Sequence, residues 1–197
     1  MWRGLFNLRN DSRGLDSPRH FEEKTLAGNQ SGYYEVAIGK RAVYARVHGL
    51  ASMNNCLCLR EFLDKLLADG HSFIIVDLAD CTGMDSTFMG VLAGAATYEQ
   101  DGHTPGIIVV NADPSLVRLL QSVGLGELLM IEDKPFKIPP MQFVRLEEQA
   151  GEEERLTLIR AAHTHLIKIS EENERLFGPI VRVLEDEMRK RGLNMPE

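Results

Sequence analysis

Residues 73–94 read FIIVDLADCTGMDSTFMGVLAG. Its first six residues, FIIVDL (73–78), are apolar almost throughout and rich in β-branched side chains. That is the composition of a strand covered on both faces, as in a parallel sheet. The period then changes: from Thr87 to Gln100, Phe88, Val91, Leu92 and Ala95 recur on one helical face. A buried strand passing through a short polar stretch into an apolar helix is half of a strand–helix–strand crossover, so the segment points to an α/β domain. Gly90 and Gly94, one turn apart, form a stripe that lets this helix approach a neighbour closely.

The flanking sequence extends the pattern. Upstream, YYEVAI (33–38) and AVYARV (42–47) flank Gly39-Lys40, a glycine-first pair that predicts a type II′ hairpin. Leu59, Phe62, Leu63, Leu66 and Leu67 then recur at helical spacing and close at Asp69-Gly70. Downstream, IIVV (107–110) predicts a second buried strand. Asp113 before Pro114 predicts a helix N-cap with proline at the first helical position. That helix has Leu116, Leu119, Leu120 and Val123 as its apolar face and Gly124 as its stop. LLMI (128–131) predicts one more short strand. The order strand-strand-helix-strand-helix-strand-helix-strand implies a mixed β-sheet, an antiparallel hairpin followed by parallel strands with crossover helices.

The ends differ from this middle. Residues 1–30 are rich in Arg, Asn, Asp, Gly and Ser and predict a flexible arm. Past KPFKIPP (134–140), charges alternate in sign, and a C-terminal helical extension is expected over 141–197. Leu158, Ala162, Leu166 and Ile169 share one face there. Gly178-Pro179 predicts a break, with Phe177, Val181, Leu184 and Met188 on a second apolar face. Such seams are buried on their own domain, in a homodimer through the C-terminal helices, or against a docked partner. The domain proper is then 31–135.

Composition narrows the function. The chain has 197 residues, 44% of them hydrophobic, and a net charge of −7. That charge argues against nucleic acid or anionic lipid as the main partner. No apolar run approaches the roughly 20 residues of a membrane helix, so no direct membrane insertion is expected. Three cysteines and the lack of a signal-peptide pattern predict a cytoplasmic protein without a disulfide framework.

The residue types leave few chemistries. Ser86, at the junction of strand and helix, reads as a cap, a nucleophile or a modified residue. A nucleophile elbow needs small residues two positions to either side, where this chain has Met84 and Phe88. Cys56 with Cys58, and His163 with His165, are two apart on predicted helices and point to different sides, so no metal site is expected and the histidines read as solvated. Asp77, Asp80 and Asp85 lack the converging acids or lysine of a phosphoaspartyl site. No phosphate-cradling glycine motif is present and no cofactor is expected. Asp85 and Ser86 are both good cap residues, and pattern alone leaves that reading standing.

Taken with IIVVNADPSLVRLLQSVGLGELLMI (107–131), the stretch FIIVDLADCTGMDSTFMGVLAG resembles the signature of STAS domains, the sulfate transporter and anti-sigma factor antagonist family. The resemblance covers about residues 33 to 133, including the opening hairpin. It implies a small non-enzymatic antagonist that binds an anti-sigma factor serine kinase, is phosphorylated by it on Ser86, and is reset by a PP2C-type phosphatase. Thr87 is a second candidate acceptor. Asp85, Ser86, Thr87, Phe88, Met89 and Leu50 are the expected partner-binding residues. Two positions depart from the family: Phe88 stands where a glycine is usual, and His48-Gly49-Leu50-Ala51 lacks the usual acid. A non-phosphorylated STAS scaffold for a larger assembly or transporter, and a small-ligand sensor using the sheet–helix cleft, are the rival readings.

Overall fold

The computed structural model describes residues 32–194; the arm expected over 1–30 lies outside the described residues. In chain order the elements are β1 (Tyr33–Ile38), β2 (Val43–Ala51), α1 (Cys56–Ala68), β3 (Phe73–Met84), α2 (Ser86–Ala96), β4 (Gly106–Val110) and α3 (Pro114–Ser122). After a 3-10 turn follow β5 (Met130–Ile131), β6 (Val144–Arg145), α4 (Glu152–Ile167) and α5 (Glu171–Lys190). The sheet order is β5-β4-β3-β2-β1-β6. β1 and β2 are antiparallel, and β2 through β5 run parallel. This is the mixed α/β architecture that the sequence pattern and the STAS resemblance imply.

The hairpin turn differs from expectation. Ile38 pairs with Val43 and the Gly39 N–H donates to the Ala42 carbonyl (2.9 Å), which puts Lys40 and Arg41 at the tip. Neither Gly39 nor Lys40 adopts the left-handed conformation a type II′ turn requires. Gly39 serves space instead, since a Cβ there would press on the Ala42 carbonyl and the Tyr44 ring. β3 is also longer than FIIVDL. It runs on to Met84 as its ladder with β2 continues to Ala51, and Asp77, buried at 8% exposure, is satisfied by the Ala79 N–H and the Asn111 amide with Arg46 3.8 Å away.

The helices keep their expected caps. α3 begins at Pro114 with the Asp113 carboxylate accepting from Ser115 N–H, and its chain reverses at Gly124, whose φ of 77° favours glycine. Leu116, Leu120 and Val123 are buried, but Leu119 points out. Of LLMI, only Met130 and Ile131 form a strand.

The C-terminal segment departs most. Val144 and Arg145 add a sixth strand, antiparallel to β1, which hydrophobic periodicity over two residues could not announce. The Glu148 carboxylate then accepts from Cys58 N–H at the start of α1, a helix end with no capping side chain of its own. Gly178-Pro179 does not break the chain. The break comes at Ser170, which caps Asn173 N–H, and α5 runs unbroken from Glu171 through Pro179. An interior proline costs about 3 kcal/mol. Burial of Phe177 and Val181 beside it and Met188 beyond it offsets that cost.

α4 packs along α2, and α5 packs along α4. The anticipated glycine stripe makes the first of these contacts. A Cβ on Gly90 would collide with the Ala162 backbone, and one on Gly94 would lie 2.8 Å from the His165 ring. Asn173, buried at 2% exposure, donates to the carbonyls of Leu166 and Val123, which ties the start of α5 to the ends of both α4 and α3. The helical pair is thus packed on its own domain. Correspondingly, His163 is buried and His165 half-buried, not solvated as expected from the sequence.

Candidate functional site: the start of helix α2

Asp85 leaves β3 in extended backbone (φ −104°, ψ 176°) and caps α2. One carboxylate oxygen accepts from Thr87 N–H (2.9 Å) and Phe88 N–H (3.0 Å), satisfying two of the orphan donors at the helix start. The other accepts from Met53 N–H at 2.8 Å, while Asp85 N–H donates to the Ala51 carbonyl. One side chain therefore fastens α2 to the loop between β2 and α1.

That loop is held from below by Asn55, 5% exposed. Its side-chain oxygen accepts from Ser52 N–H and the Tyr34 hydroxyl, and its amide donates to the carbonyls of Gly32 and Leu50. Burial pushes the Tyr34 phenol well above its usual pKa, so it stays a neutral donor. With the backbone fixed this way, Leu50 (43% exposed) and Met53 (42%) stand out as large apolar side chains beside Asp85.

Ser86 is half-buried. Its hydroxyl lies 2.9 Å from Nε2 of His163, a residue 77 positions along the chain on α4. Nδ1 of the same ring lies 2.8 Å from the Ile159 carbonyl. A carbonyl only accepts, so Nδ1 carries the proton in the neutral ring, Nε2 accepts, and the Ser86 hydroxyl donates. The imidazole is 4% exposed and packs at a tilt on Phe177, ring centroids 5.4 Å apart.

A serine donating to a histidine oriented by a carbonyl has the outline of a nucleophile pair. The rest of an acyl-transfer centre does not follow. The amides that would stabilise an oxyanion, Thr87 and Phe88, are already occupied by the Asp85 carboxylate, whose charge opposes a second anion there.

The expected site residues separate into two groups. Asp85, Ser86 and Leu50 lie at the surface or partly so. Thr87, Phe88 and Met89 do not: they are 2%, 0% and 6% exposed. Phe88 turns inward and stacks parallel to Tyr34, centroids 6.3 Å apart. The ring at the family's glycine position therefore fills the core and does not screen Ser86. Burial likewise removes the Thr87 hydroxyl from reach as an acceptor. Met53 and His163 belong to the site and were not anticipated. Met53 carries no periodic signal, and His163 is joined to Ser86 only through tertiary packing.

Other clusters are engaged elsewhere. Asp80 meets His48 (3.2 Å), which also meets Glu35 (3.0 Å). Burial pushes the Cys58 thiol up to about 12, with Glu148 adding to it, and raises the thiols of Cys56 and Cys81 as well. Among the described residues no three His, Cys, Asp or Glu side chains converge as metal ligands. An open cavity of about 540 Å³ lies where β4 and β5 end beside α3, lined by Asn111, Val117, Arg118, Ile131 and Lys134. No helix of the described chain is long and apolar enough to cross a membrane.

No family model matches the chain, and no curated protein matches it. Among solved structures, an anti-sigma factor antagonist from Mycobacterium paratuberculosis is 17% identical with a TM-score of 0.47, over 55% of this chain and 92% of that one. The anti-sigma factor antagonist SpoIIAA in its unphosphorylated form is 19% identical with a TM-score of 0.44, over 51% of this chain and 88% of that one. SpoIIAA of Bacillus in the phosphorylated form is 19% identical with a TM-score of 0.40, over 51% of this chain and 92% of that one.

Proposed function

We propose that this chain is a cytoplasmic, non-enzymatic partner-switching regulator of the anti-sigma factor antagonist type, with Ser86 as its phosphorylated residue. The reading rests on the resemblance of the Met84-Asp85-Ser86 junction to the STAS signature. The observation that carries it is spatial. Ser86 alone among residues 86–89 escapes burial, and it lies next to Asp85, the carboxylate that fastens the loop bearing exposed Met53, just past exposed Leu50 near the end of β2.

Leu50, Met53, Asp85 and Ser86 then form the surface that a serine-kinase anti-sigma factor grips. A phosphate on Ser86 adds about −1.5 to −2 charges at neutral pH. At most helix starts the free amides would accommodate that charge. Here Asp85 already holds two of them, so the phosphate meets a carboxylate. Repulsion loosens the Asp85 clasp on the Met53 loop and opposes the interface. A loss of about 1.4 kcal/mol in binding is tenfold in affinity, so a modest displacement suffices to switch. A PP2C-type phosphatase would reverse the change.

The test uses the full chain incubated with ATP and lysate from its own source, with phosphate mapped by mass spectrometry. Phosphate on Ser86, absent in Ser86→Ala, supports the switch. Leu50→Glu with Met53→Glu should lose the kinase without loss of fold. Capture of the same kinase by Ser86→Asp as efficiently as by the unmodified chain overturns the proposal. A second reading, a non-phosphorylated scaffold, is favoured by the Ser86–His163 bond, which already uses the hydroxyl within the fold. Absence of phosphate under every condition supports that reading instead.

A further inference from the structure

α5 has two apolar faces, and among the described residues one is covered and the other exposed. Phe177, Val181 and Met188 are buried against the rest of the chain. On its outer side Leu176, Ile180 and Val183 recur at i, i+4 and i+7, with 60%, 41% and 68% of their surface exposed. Isolated surface leucines and valines are ordinary, but three in register over two turns form a continuous strip.

The charges along α5 say what fits that strip. Its first turn carries Glu171, Glu172 and Glu174, and its last turn carries Arg189 and Lys190. The strip is centred near Ile180, midway along the helix. Two copies of α5 laid antiparallel across a two-fold axis at Ile180 therefore overlap over their full length. In that arrangement each acidic first turn faces a basic last turn, and Leu176 of each copy approaches Val183 of the other, the self-complementary contact that two-fold symmetry demands. A parallel pair would set acid on acid and base on base. Glu172 and Lys190 lie on the strip side of the helix, are exposed, and enter none of the ion pairs among the described residues.

We propose that the outer strip of α5 is a homodimer interface, in which α5 pairs antiparallel with α5 of a second copy. The apolar contact supplies association and the end charges set direction. A single helix pair buries less than the ~1,600 Å² of a standard interface, so the dimer is reversible, with dissociation in the micromolar range. It does not depend on the function of the Ser86 surface.

Light scattering on the full chain at roughly 100 µM, where a micromolar dimer is populated, should give twice the 22.1 kDa chain mass and fall towards it on dilution. Val183→Glu and Leu176→Glu, both at exposed positions, should each give the monomer mass with unchanged circular dichroism. Glu172→Lys should raise the dissociation constant about tenfold, Lys190→Glu should do the same, and the two together should restore it. A monomer at this concentration overturns the proposal, including the case in which residues 1–30 or another protein cover the strip. A dimer that survives Val183→Glu, or a double swap that fails to restore association, overturns it equally.

Discussion

α2 and α3 both follow a parallel strand and begin with the same local device. Asp85 and Asp113 each cap their helix, each has a serine within two residues, and each is followed three residues later by a buried apolar side chain, Phe88 or Leu116. Their serines end up in opposite situations. The Ser115 hydroxyl donates back to its own cap at 2.6 Å and stays exposed, while the Ser86 hydroxyl donates to a buried histidine on α4. Local sequence makes a capped helix in both places. Only the packing of α4 on α2 turns one of them into a connected site.

The largest break in this comparison should come from the core. Phe88→Ala removes a fully buried ring and should cost about 4 kcal/mol in urea unfolding, against about 3 kcal/mol for Leu116→Ala. Equal, small losses would mean that α2 is not the more deeply packed helix. Gly90→Ala should cost about 2 kcal/mol, because the added methyl meets the Ala162 backbone, which cannot swing aside as a side chain can. Hydrogen exchange should then quicken across α4 while the amides of α3 are unaffected.

Smaller effects sharpen the contrast. Asp85→Ala leaves three amides without their acceptor and should cost about 2 kcal/mol. Asp113→Ala should lower the melting temperature by less, since it holds one backbone amide in solvent. Ser86→Ala should cost about 1 kcal/mol by stranding His163 Nε2, and Ser115→Ala almost nothing.

The two regions also separate by pH. Burial, with Lys168 and Arg60 nearby, holds His165 below the ordinary imidazole value on the α2–α4 seam. The unfolded chain then binds more protons, so this contribution is present above about pH 6.5 and is lost as pH falls through the folded value. His165→Gln should remove that slope from the stability curve. Asp113 is held below the usual carboxylate range by its bonds from Ser115, so its smaller contribution persists to more acid pH and fades only as pH falls below the ordinary carboxylate value.

What could be read from sequence follows the range of the interactions. Asp113-Pro114, Gly70 and Gly124 act within a few residues, and they mark boundaries where the structure has them. The alternation and β-branched runs that align β1 to β4 are likewise local. Gly178-Pro179 misled because their local cost is outweighed by burial of Phe177, Val181 and Met188 against residues far away in sequence. β6 left no trace because two residues have no period, and its stability comes from Glu35 and Val36 across the sheet. At the site, the capping role of Asp85 was legible and the tie to Met53 was not. His163 could be seen only as one histidine among six, since nothing near it in sequence marks a partner on α2.

β6 has a consequence for how the chain tolerates cutting. β1 would otherwise be an edge strand, with Glu35 and Val36 offering unpaired backbone to any passing strand. Val144 and Arg145 cover that border, and Leu146 N–H extends the cover to the Tyr34 carbonyl at 2.9 Å. A version ending after β5 would keep every strand of the hairpin-and-crossover pattern yet leave this border open. It would also lose α4 and with it the cover of the apolar α2 face, so edge-to-edge aggregation at β1 would be joined by exposure of α2.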